Sequence, residues 1–288
     1  MVRNWRFKKR HVAETLAKGL MLLSFLLVAS SLVSILWTIL SKGLPALTWD
    51  MITQTPKGGY YLGKEGGILN AIVGSLLLAL GGTVIALLIS LPISLYLETY
   101  IPKSRWARFV RLVMDVLWGI PSIVYGAIGF TLMLQIGMRA SLLGGIITLA
   151  LLEIPIMTRA IDEVIRLMPA DLTQASLAVG ASRLETALRV VTRQMLPGIV
   201  TAVLLALGRG IGDAASVLFT AGYTDRIPTS FNSPVASLPL AIFFQLGTPY
   251  PEVQQRAYAS ALILTLIVLA ISLGSRVLSA RLGKFINK

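Results

Sequence analysis

The chain has 288 residues, of which 55% are hydrophobic and only 14% charged, against roughly 25% charged in an average soluble protein. It carries 26 Lys and Arg against 13 Asp and Glu, a net charge of +13, with no cysteine and a single histidine, His11. That composition excludes a disordered chain, a disulfide framework, a thiol nucleophile and any Cys- or His-rich metal site. It also argues against a nucleic-acid partner, because such proteins spread many charges over a solvated face. Here the few charges flank long apolar runs, the pattern of an all-α integral membrane protein with its basic residues held at one surface.

A helix needs roughly 20 apolar residues to cross about 30 Å of hydrocarbon. In chain order, residues 1–18 form a basic tail and 19–41 the first predicted span. This apolar run is too long for a signal-peptide core and ends on no small-x-small cleavage site, so it reads as a retained helix. The glycine-rich stretch 57–67 reads as turn structure. The second span covers 66–97. The third covers 116–138, with Trp106 and Trp118 as interface anchors. The fourth is shorter, 141–157, and holds Glu153 and Pro155. A loop over 158–196 follows, then a fifth span, 196–222, broken by Arg209 and Asp213. Segment 223–256 holds five of the 13 prolines. Within it, 238–246 is apolar but too short to span, which predicts an interfacial or re-entrant helix. The sixth span is 257–275, and 279–288 is a second tail.

Six spans over a permease domain of 19–278 place 19 of the 26 Lys and Arg on one side. By the positive-inside rule both termini are cytoplasmic, as is the 158–196 loop, while 223–256 lies outside. Near the inner surface, Asp115 is expected to pair with Arg111 at i, i+4. Glu98 and Glu153 are expected to pair with Lys103 or Arg159.

The 158–196 loop is the most informative segment. Ile161, Val164, Ile165 and Met168 fall at i, i+3, i+4, i+7, an amphipathic helix ended by Pro169. A slim stretch follows: Asp171, Leu172, Thr173, Gln174, Ala175, Ser176, Leu177, Ala178, Val179, Gly180. A second amphipathic helix starts at Arg183 and leads to Leu196-Pro197-Gly198. One reading is a solvated helix lying on the membrane. The other is a docking helix, whose small side chains let it sit deep in a partner's groove while Asp171 and Arg183 meet opposite charges there. No P-loop occurs anywhere in the chain, so it should not bind ATP itself.

This loop resembles the EAA loop of bacterial ABC-importer permeases: Glu-Ala-Ala, three residues, Gly, nine residues, then Ile-x-Leu-Pro. Gln174-Ala175-Ser176 fills the triplet, and Gly180 and Val190 fall at the expected spacing. Two further stretches, Gly119-Ile120-Pro121-Ser122-Ile123-Val124-Tyr125-Gly126 and Gly208-Arg209-Gly210-Ile211-Gly212-Asp213-Ala214, resemble signatures of the phosphate-specific (Pst) permeases. Tyr96-Leu97-Glu98 and the 66–72 opening of the second span fit as well. The resemblance covers about 43–278, and the short chain is nearer the A-type than the C-type subunit. It implies a type I ABC importer permease fold in a bacterial inner membrane. It also implies four partners: a second, C-type permease, a dimer of ABC ATPases that bind ATP and Mg, an extracytoplasmic phosphate-binding protein, and phosphate as cargo. No cofactor is expected on this chain. Another oxyanion, sulfate or molybdate, would use the same architecture. An enzyme is disfavoured because no paired carboxylates or nucleophile–base set lies at matched depth, and a stand-alone channel needs no docking loop.

Within the membrane, ionisable groups are expensive and functional by default. Arg209 and Asp213, at i, i+4, are candidate pathway residues, since a guanidinium fork matches an oxyanion. The alternative is a structural ion pair. Gly208 and Gly212 form a G-x-x-x-G face for close helix packing. Ser122 and Tyr125, beside Pro121, either line the pathway or satisfy backbone at the proline.

Overall fold

The computed structural model describes residues 2–57 and 65–286, apart from the side chains at 2–10, 12, 65 and 282–286; the turn expected at 58–64 lies outside the described residues. Helix α1 (Val2–Ala46) leads through α2 (Trp49–Thr53) to a small antiparallel pair, β1 (Pro56–Lys57) and β2 (Glu65–Gly66). Then come α3 (Leu69–Thr99), α4 (Arg105–Trp118), α5 (Ser122–Gln135) and α6 (Leu142–Arg166). Helix α7 (Ala170–Ala178) is followed by a continuous run of α8 (Arg183–Glu185), a π-helical stretch (Thr186–Val191) and α9 (Thr192–Ile211). Helices α10 (Leu238–Leu246) and α11 (Pro251–Ile286) complete the described chain. Five helical stretches are long and apolar enough to cross a membrane, or six if α4 and α5 count as one broken span.

The centre is α3 packed on α6. Helix α3 turns a stripe of small residues inward, with Ala71, Ser75, Ala79, Thr83, Ala86, Ser90 and Ser94 all buried. Small side chains let two backbones approach where lipid supplies no hydrophobic drive. A Cβ on Gly82 would lie 3.2 Å from Leu149 of α6. Serines then tie the helices together: Ser90 Oγ donates to the Ile154 carbonyl (3.1 Å) and Ser94 Oγ to that of Thr158 (3.0 Å). Around this pair lie three apolar clusters: Leu95, Met157, Ile161 and Val191; Leu78, Ile146, Leu149 and Val217; and Met51, Ile68, Leu238 and Ile263. Helix α1 packs mainly on α11, where Gly43 meets the Tyr258 backbone.

Two predicted spans differ from the structure. The third is not a straight helix over 116–138, because α4 and α5 meet at 97°. Pro121 has no N–H to continue α4 and pushes Ile120 out of the helical region. Helix α4 carries Arg105, Arg108, Arg111 and Asp115 on one side, while Trp106 and Phe109 point outward at 72% and 55% exposure. An amphipathic helix of that kind is suited to a membrane interface. The fifth span is helical only to Ile211, and residues 212–237 form turns rather than helix. Part of this irregular backbone is hydrogen-bonded within the protein. Ser141 N–H donates to Thr220 O, Leu142 N–H to Ser233 O and Val235 N–H to Ala221 O. Non-helical backbone is tolerated at membrane depth when buried in protein in this way. The short helix expected at 238–246 is α10.

Candidate functional site

The irregular segment after α9 carries the intramembrane candidates. Asp213 is not on the α9 helix with Arg209, because Gly212 caps that helix. Asp213 instead turns its Oδ2 onto the backbone N–H of Ser216 (2.8 Å), holding the turn closed. The predicted Arg209–Asp213 ion pair is therefore absent, and the reason is the helix end at Ile211. Arg209 sits in the last turn of α9, exposed, without a side-chain partner among the described residues. Gly126 of α5 packs against this segment, where a Cβ would meet the Ala215 carbonyl oxygen at 2.8 Å. The structure thus brings the Ser122–Tyr125 turn alongside residues 213–216.

Tyr125 has a local task. Its hydroxyl donates to the Leu117 carbonyl (2.9 Å). Leu117 is the residue whose carbonyl Pro121, four positions on, has no N–H to reach. Ser122 is the first residue of α5 and half-buried. Gly208 and Gly212 do not form a packing face: a Cβ on Gly208 reaches only Ile271, at 4.0 Å, and one on Gly212 meets only its own helix end. The glycine in tight contact is Gly210, where a Cβ would overlap the Glu153 carboxyl.

Glu153 is the residue that sequence reasoning misplaced. It is not paired with Arg159 or Lys103; it is 0% exposed, and neither carboxyl oxygen has a geometrically satisfied hydrogen bond among the described residues. Thr83 Oγ1 and Ser216 Oγ are also buried without partners. The signal was a lone acidic residue mid-run, but nothing in the sequence shows which helix faces it.

The end of the bundle nearest α7 holds a charge network. Buried Arg111 donates two hydrogen bonds to Asp162, from Nε at 2.9 Å and Nη2 at 3.1 Å, and also contacts Glu98. Arg159 pairs with Asp115 (2.6 Å), Asp162 (3.2 Å) and Glu163 (3.0 Å), and Arg166 with Glu98 (2.9 Å). The expected Arg111–Asp115 pair is replaced because α4 presents Arg111 to α6 and α3 instead. The network joins three helices, and its bidentate geometry offsets the cost of burying Arg111 and Asp162.

Beyond it projects the loop. Helix α7 has no buried residue. Asp171, Gln174 and Ala175 are exposed, and Ser176 Oγ bonds Thr186 Oγ1 at 2.9 Å. Gly180 takes φ +89° with open space around it, ending α7 as a left-handed residue must. Ser182 and Glu185 form a capping box that starts the next helix. Arg183 lies over the Tyr100 ring, 6.0 Å to its centroid, and so is partly engaged within the chain. The loop exposes Leu167 at 82% and Val179 at 86%. It is a short exposed helix, closed by a left-handed glycine and flanked by uncovered apolar residues.

Residues 90–288 match the family of the binding-protein-dependent transport system inner membrane component. The phosphate transport system permease protein PstA of Haemophilus influenzae is 35% identical over 274 residues, 95% of this chain and 96% of that protein. The PstA 1 protein of Mycobacterium tuberculosis is 32% identical, covering 93% of this chain and 87% of its own length. Among solved structures, the inward-facing MetNI methionine ABC transporter superposes with a TM-score of 0.62 at 19% identity, over 75% of this chain and 95% of that one. A bacterial alginate ABC transporter superposes with a TM-score of 0.55 at 16% identity, over 90% and 96%. These last two share the fold.

Proposed function

The chain belongs to the family of binding-protein-dependent transport system inner membrane components and, within it, to the phosphate transport system permeases; on that premise we propose that it forms one membrane-spanning half of an ATP-driven importer of inorganic phosphate. The observation that carries the cargo is the end-to-end likeness to PstA proteins. A second, related permease of the C type completes the pathway, because one such bundle encloses little. An extracytoplasmic binding protein delivers the anion. Both termini and α7 face the cytoplasm, where a dimer of ATPases holds ATP and Mg.

In this reading α7 is the coupling helix. Its exposed face, with Asp171, Gln174, Ala175 and Gly180, enters a groove of the ATPase, and Ser176 and Arg183 fix its angle to the bundle. Closure of the ATPases then moves the bundle as a rigid body and alternates access. Arg209 is the anion-binding group, since it is an unpaired guanidinium where α9 gives way to irregular backbone. Asp213, Ser122 and Tyr125 shape its surroundings. The Arg111 network spends its arginines on the carboxylates of Glu98, Asp115, Asp162 and Glu163 and serves to hold α3, α4 and α6 together.

The test is uptake into vesicles by the complete transporter with its binding protein, comparing phosphate, sulfate and molybdate. Phosphate-selective uptake is expected. Arg209→Gln is expected to lower it at least tenfold, the effect of losing one charge-assisted contact. Uptake of sulfate or molybdate in place of phosphate would overturn the cargo. Unchanged uptake in Arg209→Gln would make that residue structural.

A further inference from the structure

Two ionisable groups stand without an ion pair among the described residues, on facing helices, and the α9 residue that one of them touches is the sequence neighbour of the other. Glu153 of α6 presses its carboxyl on Gly210 of α9, and Arg209 is the next residue along the same helix. Glu153 is wholly enclosed with only the Thr83 hydroxyl beside its carboxyl and no cation, and Arg209 is exposed; neither has an ion pair among the described residues. A carboxyl enclosed in this way is costly unless some state of the protein supplies a partner. The Cα atoms of Arg209 and Gly210 are about 3.8 Å apart. An arginine side chain spans more than that, so a rotamer change with a small shift of the last turn of α9 brings the guanidinium toward the carboxyl. Gly208, Gly210 and Gly212 carry no side chain to obstruct the guanidinium, while buried Ile199, Ala202, Ala206 and Ile211 hold the body of α9 in place, so the movement is confined to the Arg209 side chain and the last turn. Asp213, the other acid nearby, is committed to the Ser216 N–H.

We propose that Glu153 is a positioning residue for transport, the intramembrane partner that Arg209 takes when no anion occupies it. The inference rests on the reading of Arg209 as the anion-binding group. An arriving phosphate displaces the carboxyl from the guanidinium, and return of Glu153 helps expel the anion at the end of the cycle. Each ligand of Arg209 thereby weakens the other, the reciprocity that a shared partner requires.

The experiment uses the complete reconstituted transporter and measures phosphate uptake per ATP hydrolysed for Glu153→Gln, Glu153→Asp and Arg209→Gln. Glu153→Gln, nearly isosteric but uncharged, is expected to lower turnover about tenfold, a typical size for coupling between two sites. ATP hydrolysis continues, so uptake per ATP falls. Glu153→Asp keeps the carboxylate and is expected to restore most of the loss, which a packing role would not do. Normal uptake in Glu153→Gln, or equal losses in the Gln and Asp variants, would overturn the partnership. Normal uptake in Arg209→Gln would overturn the anion site itself, a separate result. Because the chain has no cysteine, a pair Glu153→Cys with Arg209→Cys gives a second measurement if Glu153→Gln does not assemble. Short cross-linkers should join the two in only one of the nucleotide-free and vanadate-trapped states. Equal cross-linking in both, or none in either, would overturn the proposal.

Discussion

A half-buried carboxyl without a partner leaves a signature in pH. Asp225 lies in the turn-rich segment before α10, and its Oδ1 accepts no hydrogen bond. Burial raises its pKa above the ordinary aspartate value. The folded chain therefore holds this proton more tightly than the unfolded one. Its contribution is most favourable at pH below the unfolded aspartate range and is lost as pH rises through the folded value. Asp225→Asn is expected to flatten the acidic part of the stability profile and to raise thermal stability slightly at neutral pH. Thermal unfolding of the purified complex from about pH 4 to 7 reads this out, and parallel profiles for the two proteins would contradict it. Tyr125 shows how far single residues are legible. Its place beside Pro121 already offered backbone satisfaction as one of two readings, and the hydroxyl does bond Leu117. Glu153 was not legible, because a carboxyl's partner depends on which helix faces it.

At the scale of elements, glycine spacing named the wrong pair. Gly208-x-x-x-Gly212 has the form of a packing motif, yet Gly210 between them carries the contact with α6. The helix ends at Ile211, so the stripe that a continuous helix would present is never completed. Gly210→Ala is expected to destabilise the protein by roughly 1–3 kcal/mol, the cost of overpacking a filled site. Gly208→Ala should be near neutral, and thermal shifts of the two variants side by side decide between them. The elbow at 119–121 has a second consequence. It turns α4 sharply away from α5 and delivers Arg111 to Asp162 and Glu98. Arg111→Met leaves Asp162 buried with weaker partners, and about 3–5 kcal/mol of stability should go with it. A loss under 1 kcal/mol in denaturant or thermal unfolding would mean that the network rearranges around the missing guanidinium.

At the scale of the whole molecule, the described chain has uncovered surface of two kinds. Helix α1 has none of its most apolar window buried in this chain, as expected of a helix facing lipid or another subunit. Helix α7 has no buried residue, and its flanks leave Val179 and Leu167 exposed. Ala175 is exposed on that helix. Ala175→Trp is therefore expected to leave the chain folded while reducing recovery of the ATPase with it at least tenfold, since an interface core tolerates no added ring. Co-purification from membranes is the measurement, and full recovery of the ATPase would remove α7 from the docking surface.

The sequence by itself determined the class of this protein: its long apolar runs, the sorting of its basic residues, the short helix at 238–246 and the small-residue loop all follow from local composition and spacing. Those features depend on transfer of each segment between water and lipid and on caps and turns within a few residues, so they are written in the segment that shows them. The tertiary structure alone decided where helices bend or stop and which charges meet. The right-angle elbow, the end of α9 at Ile211, the partnerships of Arg111 and Arg159, and the isolation of Glu153 against Gly210 are all long-range outcomes. The reason is physical: inside a membrane every buried polar group takes the partner that packing brings within reach, and packing is settled by whole helices.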